Sequence, residues 1–200
     1  MKILFIYTNI NGLHADSFAD GISMIMAETK RAGYDIKQLQ IFEKTEYSSF
    51  EKELTSYKPD VIGFTAVSSQ FSFVSELCDI ANRVYPKTIT VCGGIHPTLY
   101  PECITEAKNL DVIFRGDSER PFLDFLSKIK DNKPWKDNEN IAYLENGIVK
   151  KNKLAKLLTP DDLDTLSHPD RETFDYSKIL ERVGIASFHF TRGCPFVCTY

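Results

Sequence analysis

Val61-Ile62-Gly63-Phe64-Thr65, introduced by Pro59-Asp60, is the strongest strand signal in this chain of 200 residues. Its run of apolar and small residues is typical of a strand buried on both faces of a parallel sheet. A short helix is predicted before it, from Phe50 to Tyr57, and a longer one after it, where apolar residues recur at helical spacing between Phe73 and Val84. A buried strand between two helices is the repeating unit of an α/β fold.

The same alternation of strand and helix continues in both directions. Further strands are predicted at Lys2 to Tyr7, Asp35 to Ile41, Thr88 to Cys92 and Asp111 to Phe114. Further helices are predicted around Ile22 to Thr29, Glu102 to Lys108 and Pro121 to Ile129. Because crossovers between parallel strands are right-handed, residues 1–130 are predicted to form a doubly wound, Rossmann-like or flavodoxin-like sheet of five parallel strands in the order 2-1-3-4-5. Ligands of such sheets bind beyond the carboxyl ends of the strands, where the strand order reverses.

Residues 131–184 are predicted to be a small β-hairpin and a connector. The polar stretch from Asp131 to Asn140 indicates a domain boundary near residue 130. Two apolar runs around Asn146-Gly147 predict the hairpin, because Asn-Gly favours a two-residue turn. The acidic, proline-containing stretch from Pro160 to Tyr176 indicates an extended connector, and an apolar run from Ile185 to Phe190 predicts one more strand.

Composition and charge exclude several classes of partner. With 26% charged and 42% hydrophobic residues the chain is an ordinary globular protein, and its net charge of −4 argues against a nucleic-acid surface. Five cysteines favour a reducing compartment over a secreted, disulfide-bonded protein. Because no apolar run is long enough for a signal-peptide core or a membrane span, we expect a cytoplasmic protein without nucleic-acid or membrane partners.

The stretch Thr191-Arg192-Gly193-Cys194-Pro195-Phe196-Val197-Cys198-Thr199-Tyr200 places two cysteines on a predicted loop. Soft thiolates at this spacing suit iron, while the simpler alternative is two ordinary reduced cysteines. The stretch resembles the cluster motif of radical S-adenosylmethionine (SAM) enzymes and stops one residue short of a third cysteine. The resemblance implies that Cys194 and Cys198 ligate a 4Fe–4S cluster whose third ligand lies beyond the chain end, and that Tyr200 lies near the adenine of SAM. It also implies that residues 185–200 are the first strand and the start of the cluster loop of a truncated radical SAM barrel.

The resemblance covers nearly the whole chain and extends to the cobalamin-binding domain that precedes the barrel in some radical SAM proteins. Asp16, Phe18 and Gly21 occupy the motif D-x-H-x-x-G, with Phe18 in place of the histidine that would ligate cobalt. Thr65-Ala66-Val67 occupies the S-x-L position, and Gly93-Gly94 the glycine pair after the fourth strand. For the first two motifs the alternatives are an accidental match and an ordinary helix cap.

Two further loops match the same family. Gly93-Gly94 is followed by His96 in a G-G-x-H-P-T loop, where glycines let the backbone approach a flat ligand and the histidine fixes the loop or faces cobalt. Gly116 and Glu119 belong to a turn that resembles G-E-G-E, and the alternative is that Ser118 and Glu119 cap the next helix. If cobalamin binds, its nucleotide tail is expected to pass the glycine pair, so that Gly94→Val abolishes binding.

The chain is therefore interpreted as the cobalamin-binding domain of a radical SAM iron–sulfur enzyme, with cobalamin and the following barrel as its partners. The resemblance implies a parent methyltransferase or an anaerobic cyclase of the Mg-protoporphyrin monomethyl ester type, and we expect no turnover by this fragment alone. The rival hypothesis is a corrin-free docking or scaffold domain of an enzyme that uses SAM alone, since Phe18 replaces the histidine. A flavodoxin-like FMN or receiver module is disfavoured, because Thr8-Asn9-Ile10-Asn11-Gly12 is a poor phosphate loop.

Overall fold

The computed structural model describes residues 1–12, 18–186, 188–189 and 192–193, over which strands and helices alternate. The strands are β1 (Lys2–Thr8), β2 (Asp35–Ile41), β3 (Val61–Thr65), β4 (Ile89–Gly93), β5 (Val112–Phe114), β6 (Ile141–Glu145) and β7 (Ile148–Lys151). The α-helices are α1 (Asp20–Arg31), α2 (Tyr47–Tyr57), α3 (Phe71–Val84), α4 (Ile95–Leu99), α5 (Glu119–Lys130), α6 (Pro160–Asp164) and α7 (Tyr176–Val183). Short 3₁₀ helices lie at Lys44–Glu46, Ser68–Gln70 and Pro101–Glu106.

The strands form one sheet in the order β2-β1-β3-β4-β5-β6-β7. The first five are parallel, so the predicted order 2-1-3-4-5 is confirmed. In the register of the sheet, Thr65 lies opposite Tyr7 of β1 and Gly93 of β4. The carboxyl ends of β1, β3 and β4 are therefore level. The loops that follow them share one edge of the sheet, which we call the carboxyl edge.

Helices cover both faces of the sheet, which explains why its central strands are apolar throughout. On one face Leu4 and Ile62 pack with α2 and α3, whereas on the other Ile3 and Val61 pack with α1, α5 and α7. Among the described residues, no helix is both long enough and apolar enough to cross a membrane.

The predicted hairpin is confirmed, but it belongs to the main sheet. β6 pairs antiparallel with β5, and Asn146 and Gly147 form the turn to β7 with φ values of 52° and 76°. A two-residue type I′ turn requires positive φ at both positions, which explains the Asn-Gly pair. The docking of β6 on β5 was not predicted, because the sequence of a buried strand does not show which strand lies beside it.

The stretch from Asp131 to Asn140, predicted as a domain boundary, is bound closely to the sheet. Asn138 and Asn140 are both buried. Asn140 donates a hydrogen bond from Nδ2 to the carbonyl of Asp117 and accepts one at Oδ1 from the amide of Ala155. The two buried asparagine side chains pair with backbone groups, whereas residues 131–134, 136 and 137 are exposed. The sheet continues past residue 130 without a break, and a domain boundary there stays a prediction.

The connector is not extended, which corrects the expectation for residues 160–176. Helix α6 forms inside it, and Phe174 is 0% exposed. The Phe174 ring lies 5.6 Å from the ring of Tyr7, and its carbonyl accepts a hydrogen bond from Gln40 Nε2 at 3.0 Å. Isolated aromatic residues carry no periodic signal, so the packing of this segment on β1 and β2 was not visible in the sequence.

Candidate functional site

The loops after β3 and β4 are joined through the glycine pair. Ala66 donates its amide hydrogen to the carbonyl of Gly93 at 3.0 Å, and His96 donates its own to the carbonyl of Ala66 at 3.1 Å. Gly94 has a φ of +101°, and a Cβ there would lie 2.7 Å from the Ala66 carbonyl oxygen and 2.9 Å from Thr65 Oγ1. Only glycine fits this position, because the backbone angle and the available space both exclude a side chain.

Gly93 differs from Gly94 in both respects. A Cβ at Gly93 would have Phe114 as its nearest neighbour at 3.9 Å, which is an ordinary contact. Gly93 is the last residue of β4 and is partly exposed. The fold therefore does not need glycine here. A bare backbone at the end of a central strand leaves room for a ligand to approach closely, as the sequence predicted.

Apolar side chains are exposed along the same edge. Val67 is 50% exposed, Ile95 55%, Leu99 76% and Tyr100 44%. We call these four residues, which follow β3 and β4, the apolar rim. Single exposed apolar residues are common on protein surfaces, but a group of them on two joined loops indicates a surface that a ligand or partner covers.

His96 is held by protein contacts. Its Nδ1 lies 3.1 Å from Ser68 Oγ, and its ring centroid lies 4.8 Å from that of Phe71. This geometry supports the loop-fixing role. His96 also lines a groove of about 290 Å³ with Ser68 and Glu106, which is at the lower end of the range for small-molecule pockets. The groove is too small to enclose a corrinoid.

The end of β1 carries buried polar groups that the sequence analysis did not single out. Thr8 Oγ1 and Asn9 Nδ2 are buried and have no hydrogen-bond partner among the described residues. Gln70 holds the backbone of Ile10, the residue after Asn9. Its side chain accepts a hydrogen bond from the Ile10 amide at 2.9 Å and donates one to the Ile10 carbonyl at 3.1 Å. An unpaired buried amide costs free energy, which makes Asn9 a candidate ligand contact. The sequence signal that could have identified Asn9 is its place directly after a buried strand, at the point where the strand order reverses.

The three D-x-H-x-x-G positions have separate surroundings. Asp16 lies outside the described residues. Phe18 is partly buried, and its ring centroid lies 5.1 Å from that of Phe174 and 4.8 Å from that of Tyr176. Gly21 is exposed in the first turn of α1, where a Cβ would meet open space. Phe18 is therefore a packing residue, and the fold does not require a glycine at position 21.

The turn from Gly116 to Glu119 contacts two other parts of the chain. Gly116 has a φ of +68° and donates its amide hydrogen to Thr98 Oγ1 of α4 at 3.0 Å. The capping expectation was wrong for Ser118, whose hydroxyl donates to the Gly116 carbonyl and makes no cap hydrogen bond with α5. Glu119 is 5% exposed, and its Oε1 lies 2.6 Å from Nη2 of Arg192. The structure gives this predicted cofactor contact a partner inside the protein.

A family model described as the B12 binding domain matches residues 12–126. The chain belongs to the B12-binding domain family. The matched range includes the glycine pair, the apolar rim and the turn from Gly116 to Glu119.

This B12-binding domain is similar to parts of larger proteins. It is 28% identical over 227 aligned residues to the anaerobic magnesium-protoporphyrin IX monomethyl ester cyclase of Rubrivivax gelatinosus, covering 100% of this chain and 38% of the relative. Its fold matches the cobalamin-dependent SAM radical enzyme OxsB with aqua-cobalamin and SAM bound, with a TM-score of 0.75, 16% identity and coverage of 89% of this chain and 25% of that one. It also matches the radical SAM methyltransferase TsrM from Kitasatospora setae with cobalamin and a [4Fe-4S] cluster bound, with a TM-score of 0.63, 12% identity and coverage of 76% and 30%. The chain spans 38% or less of the length of each of these proteins.

The carboxyl edge of this B12-binding domain fits a corrinoid by three features. Gly93 leaves the backbone accessible, the apolar rim offers exposed apolar surface, and Asn9 Nδ2 is a buried donor without a partner among the described residues. A large flat ring with amide side chains needs apolar contact on its face and hydrogen-bonding groups at its border. The described residues supply both.

The positions predicted to contact the cluster and SAM lie outside the described residues of the B12-binding domain: Cys194, Cys198 and Tyr200. The described cysteines are all buried: Cys78, Cys92 and Cys103. Burial raises the pKa of Cys103 to about 12 and raises the pKa values of Cys78 and Cys92 well above the usual thiol value. These three thiols are packing groups of low nucleophilicity. In the described part of the chain, no group of three or more His, Cys, Asp or Glu side chains could hold a metal ion.

Proposed function

We propose that this chain binds cobalamin at its carboxyl edge and precedes the catalytic barrel of a radical SAM enzyme. The observation that carries the proposal is Gly93, a partly exposed glycine at the end of a central strand that the fold itself does not require. The match to the B12-binding family supports it, as does the likeness to cobalamin-dependent radical enzymes.

Each part of the carboxyl edge has a proposed role toward the cofactor. Val67 and Ile95 of the apolar rim contact the corrin ring. The backbone at Gly93 contacts the nucleotide tail, and the Thr65 hydroxyl lies beside that tail. Asn9 donates a hydrogen bond from Nδ2. When bound, cobalamin supplies a cobalt centre that carries a methyl group or assists a radical step.

Neither Phe18 nor His96 is a cobalt ligand in this proposal. Phe18 has no ligating atom and packs against Phe174. His96 contacts Ser68 through Nδ1 and is placed to hold the loop after the glycine pair. The cofactor would therefore be held by the edge of the sheet and not through the side chain of Phe18 or His96.

The parent protein is proposed to be a methyltransferase or a cyclase-type enzyme, as the names of its relatives indicate. Cys194 and Cys198 would hold a 4Fe–4S cluster together with a third cysteine of the barrel, and Tyr200 would lie beside SAM. A cytoplasmic location and the absence of nucleic-acid and membrane partners stay predictions.

Titration with hydroxocobalamin, followed by absorbance, tests the proposal on this chain. The parent chain is expected to bind, and Gly93→Val is expected to weaken binding at least about tenfold, because a branched side chain would occupy the space of the ligand. Thermal unfolding of Gly93→Val beside Gly93→Ala shows whether the fold is kept, since the fold has room for a Cβ there.

Lys150→Val serves as the matched control, because Lys150 is exposed on the outer strand β7 and should leave affinity unchanged. If the parent chain does not bind hydroxocobalamin, the corrin-free docking domain becomes the better hypothesis. If Gly93→Val binds as tightly as the parent, the tail does not pass Gly93.

A second substitution tests the role of Asn9. Asn9→Leu is expected to raise the free energy of unfolding of the cofactor-free chain by about 1 kcal/mol, because it removes an unpaired buried amide with little change of shape. The same change should weaken hydroxocobalamin binding about fivefold, the loss of one neutral hydrogen bond. Urea unfolding and the absorbance titration measure the two effects.

The control for Asn9 is Thr88→Val, which removes a buried hydroxyl that likewise has no partner among the described residues. Thr88 lies just before the amino end of β4. It should stabilise the chain without changing affinity. A lower free energy of unfolding for Asn9→Leu would show that the amide is paired in the free protein and would contradict the role.

A further inference from the structure

The first turn of α5 carries a buried carboxylate that pairs with the segment leading into the cysteine motif. Glu119 Oε1 lies 2.6 Å from Arg192 Nη2, and Asp117 Oδ1 lies 3.6 Å from Arg192 Nη1. The side chain of Glu119 is 5% exposed and that of Arg192 is 28% exposed. Arg192 is less exposed than the cation of the two other described ion pairs with a buried carboxylate, Lys30–Asp170 and Arg31–Glu28, so the contact excludes more of the solvent that would screen it.

Loss of Arg192 would leave the buried carboxylate of Glu119 without its cation. A buried carboxylate without its cation is strongly disfavoured, because it has lost its hydration and gains nothing in return. Partial burial alone would lower the pKa of Arg192, but the hydrogen bond to Glu119 and the charges of Glu119 and Asp117 outweigh it and raise that pKa. The contact with the two carboxylates therefore favours the charged form of Arg192.

Two further contacts attach the same short segment to the domain. We call residues 188, 189, 192 and 193 the docking segment. His189 Nδ1 lies 3.1 Å from Oδ2 of Asp20, the first residue of α1. The ring of Phe188 lies 4.8 Å from the guanidinium carbon of Arg171. The docking segment thus contacts the first residues of both α1 and α5, on the helix face that covers one side of the sheet.

We propose that Glu119 and Asp117 are positioning residues that receive Arg192 and so fix the start of the cysteine motif against the carboxyl edge. Cys194 comes two residues after Arg192 in the sequence. The docking itself does not depend on any cofactor. Its consequence, a fixed separation between the first cluster ligand and the cobalamin, rests on the proposed function.

Distance measurement between two nitroxide labels tests the docking without cobalamin. One label is placed on Cys194 in a Cys198→Ser background, and the other on Lys52→Cys, an exposed position on α2. The buried thiols of the described part of the chain will not compete for the label: Cys78, Cys92 and Cys103. Pulsed dipolar electron spin resonance should give one narrow distance distribution for this parent.

Arg192→Gln and Glu119→Gln are each expected to broaden that distribution at least about twofold, because the segment loses its charged attachment. Arg192→Lys should retain most of the narrow distribution, because lysine keeps the positive charge. If Arg192 had a merely steric role, lysine would not reproduce the narrow distribution. Arg120→Gln is the matched control: Arg120 is the next residue of α5 and pairs with Asp162 at 2.8 Å in a half-exposed contact. It should leave the distribution unchanged.

Circular dichroism and thermal unfolding of each variant show that the sheet is intact. Should Glu119→Gln fail to fold, the distance distribution of Arg192→Gln alone tests the proposal, because Arg192 lies outside the sheet. A parent distribution that is already broad, or an Arg192→Gln distribution as narrow as that of the parent, would overturn the proposal. Neither result would bear on cobalamin binding, which the absorbance titration measures separately.

Discussion

Gly94→Ala is expected to lower the free energy of unfolding by about 4 kcal/mol. A φ of +101° costs a residue with a Cβ about 1–3 kcal/mol. The added carbon would also lie 2.7 Å from the carbonyl oxygen of Ala66, and overpacking against backbone costs a further 1–3 kcal/mol or so. Urea unfolding followed by circular dichroism measures the difference.

Gly93→Ala is the control for Gly94→Ala, because its Cβ would meet Phe114 only at 3.9 Å. It should change the free energy of unfolding by less than about 1 kcal/mol. Equal effects at the two positions would contradict the assigned geometry. A loss of cobalamin binding by Gly94→Val would have a conformational cause, because the fold itself requires glycine at position 94. Gly93 is therefore the position at which a substitution tests ligand contact.

Phe174→Ala is expected to lower the free energy of unfolding by about 3–4 kcal/mol, although it lies in the segment that the sequence presents as a connector. Phe174 is 0% exposed and packs on Tyr7 and Phe18 at centroid distances of 5.6 and 5.1 Å. Removal of the ring would leave a cavity between β1 and the start of α1, and aromatic contacts would be lost with it.

Leu157→Ala is the control within the same segment, because Leu157 is 86% exposed. It should change the free energy of unfolding by less than about 0.5 kcal/mol. Limited proteolysis gives a second measurement: Phe174→Ala should speed cleavage within residues 160–176 over the parent chain. Equal unfolding free energies for Phe174→Ala and the parent would show that the connector is not part of the fold.

The parallel sheet and the glycine pair were predictable because both depend on local patterns. Buried parallel strands are apolar throughout, the helices between them have a regular apolar spacing, and right-handed crossovers leave few possible strand orders. Gly93 and Gly94 follow such a strand, so their place at the carboxyl edge was also visible. Their different roles were not, because these depend on how closely Ala66 and Phe114 approach.

Asn9 shows why the rest of the candidate site needed the structure. Its place after β1 was evident, but its buried amide without a described partner is a property of the folded chain. The same holds for Phe18, which was assigned to a cofactor motif and in the structure packs against Phe174 and Tyr176. Contacts between residues far apart in sequence leave no periodic trace.

By itself, then, the sequence determined the α/β class, the order of the parallel strands, the hairpin turn at Asn146-Gly147 and the resemblance to cobalamin-binding radical SAM proteins. Each rests on neighbouring residues, whose spacing and backbone preferences act locally. Only the tertiary structure decided that the hairpin extends the sheet, that the connector packs into the core, and that Glu119 pairs with Arg192. Single aromatic and charged residues contact side chains that are distant in sequence and close in the fold, so their partners are set by the packing of the whole chain.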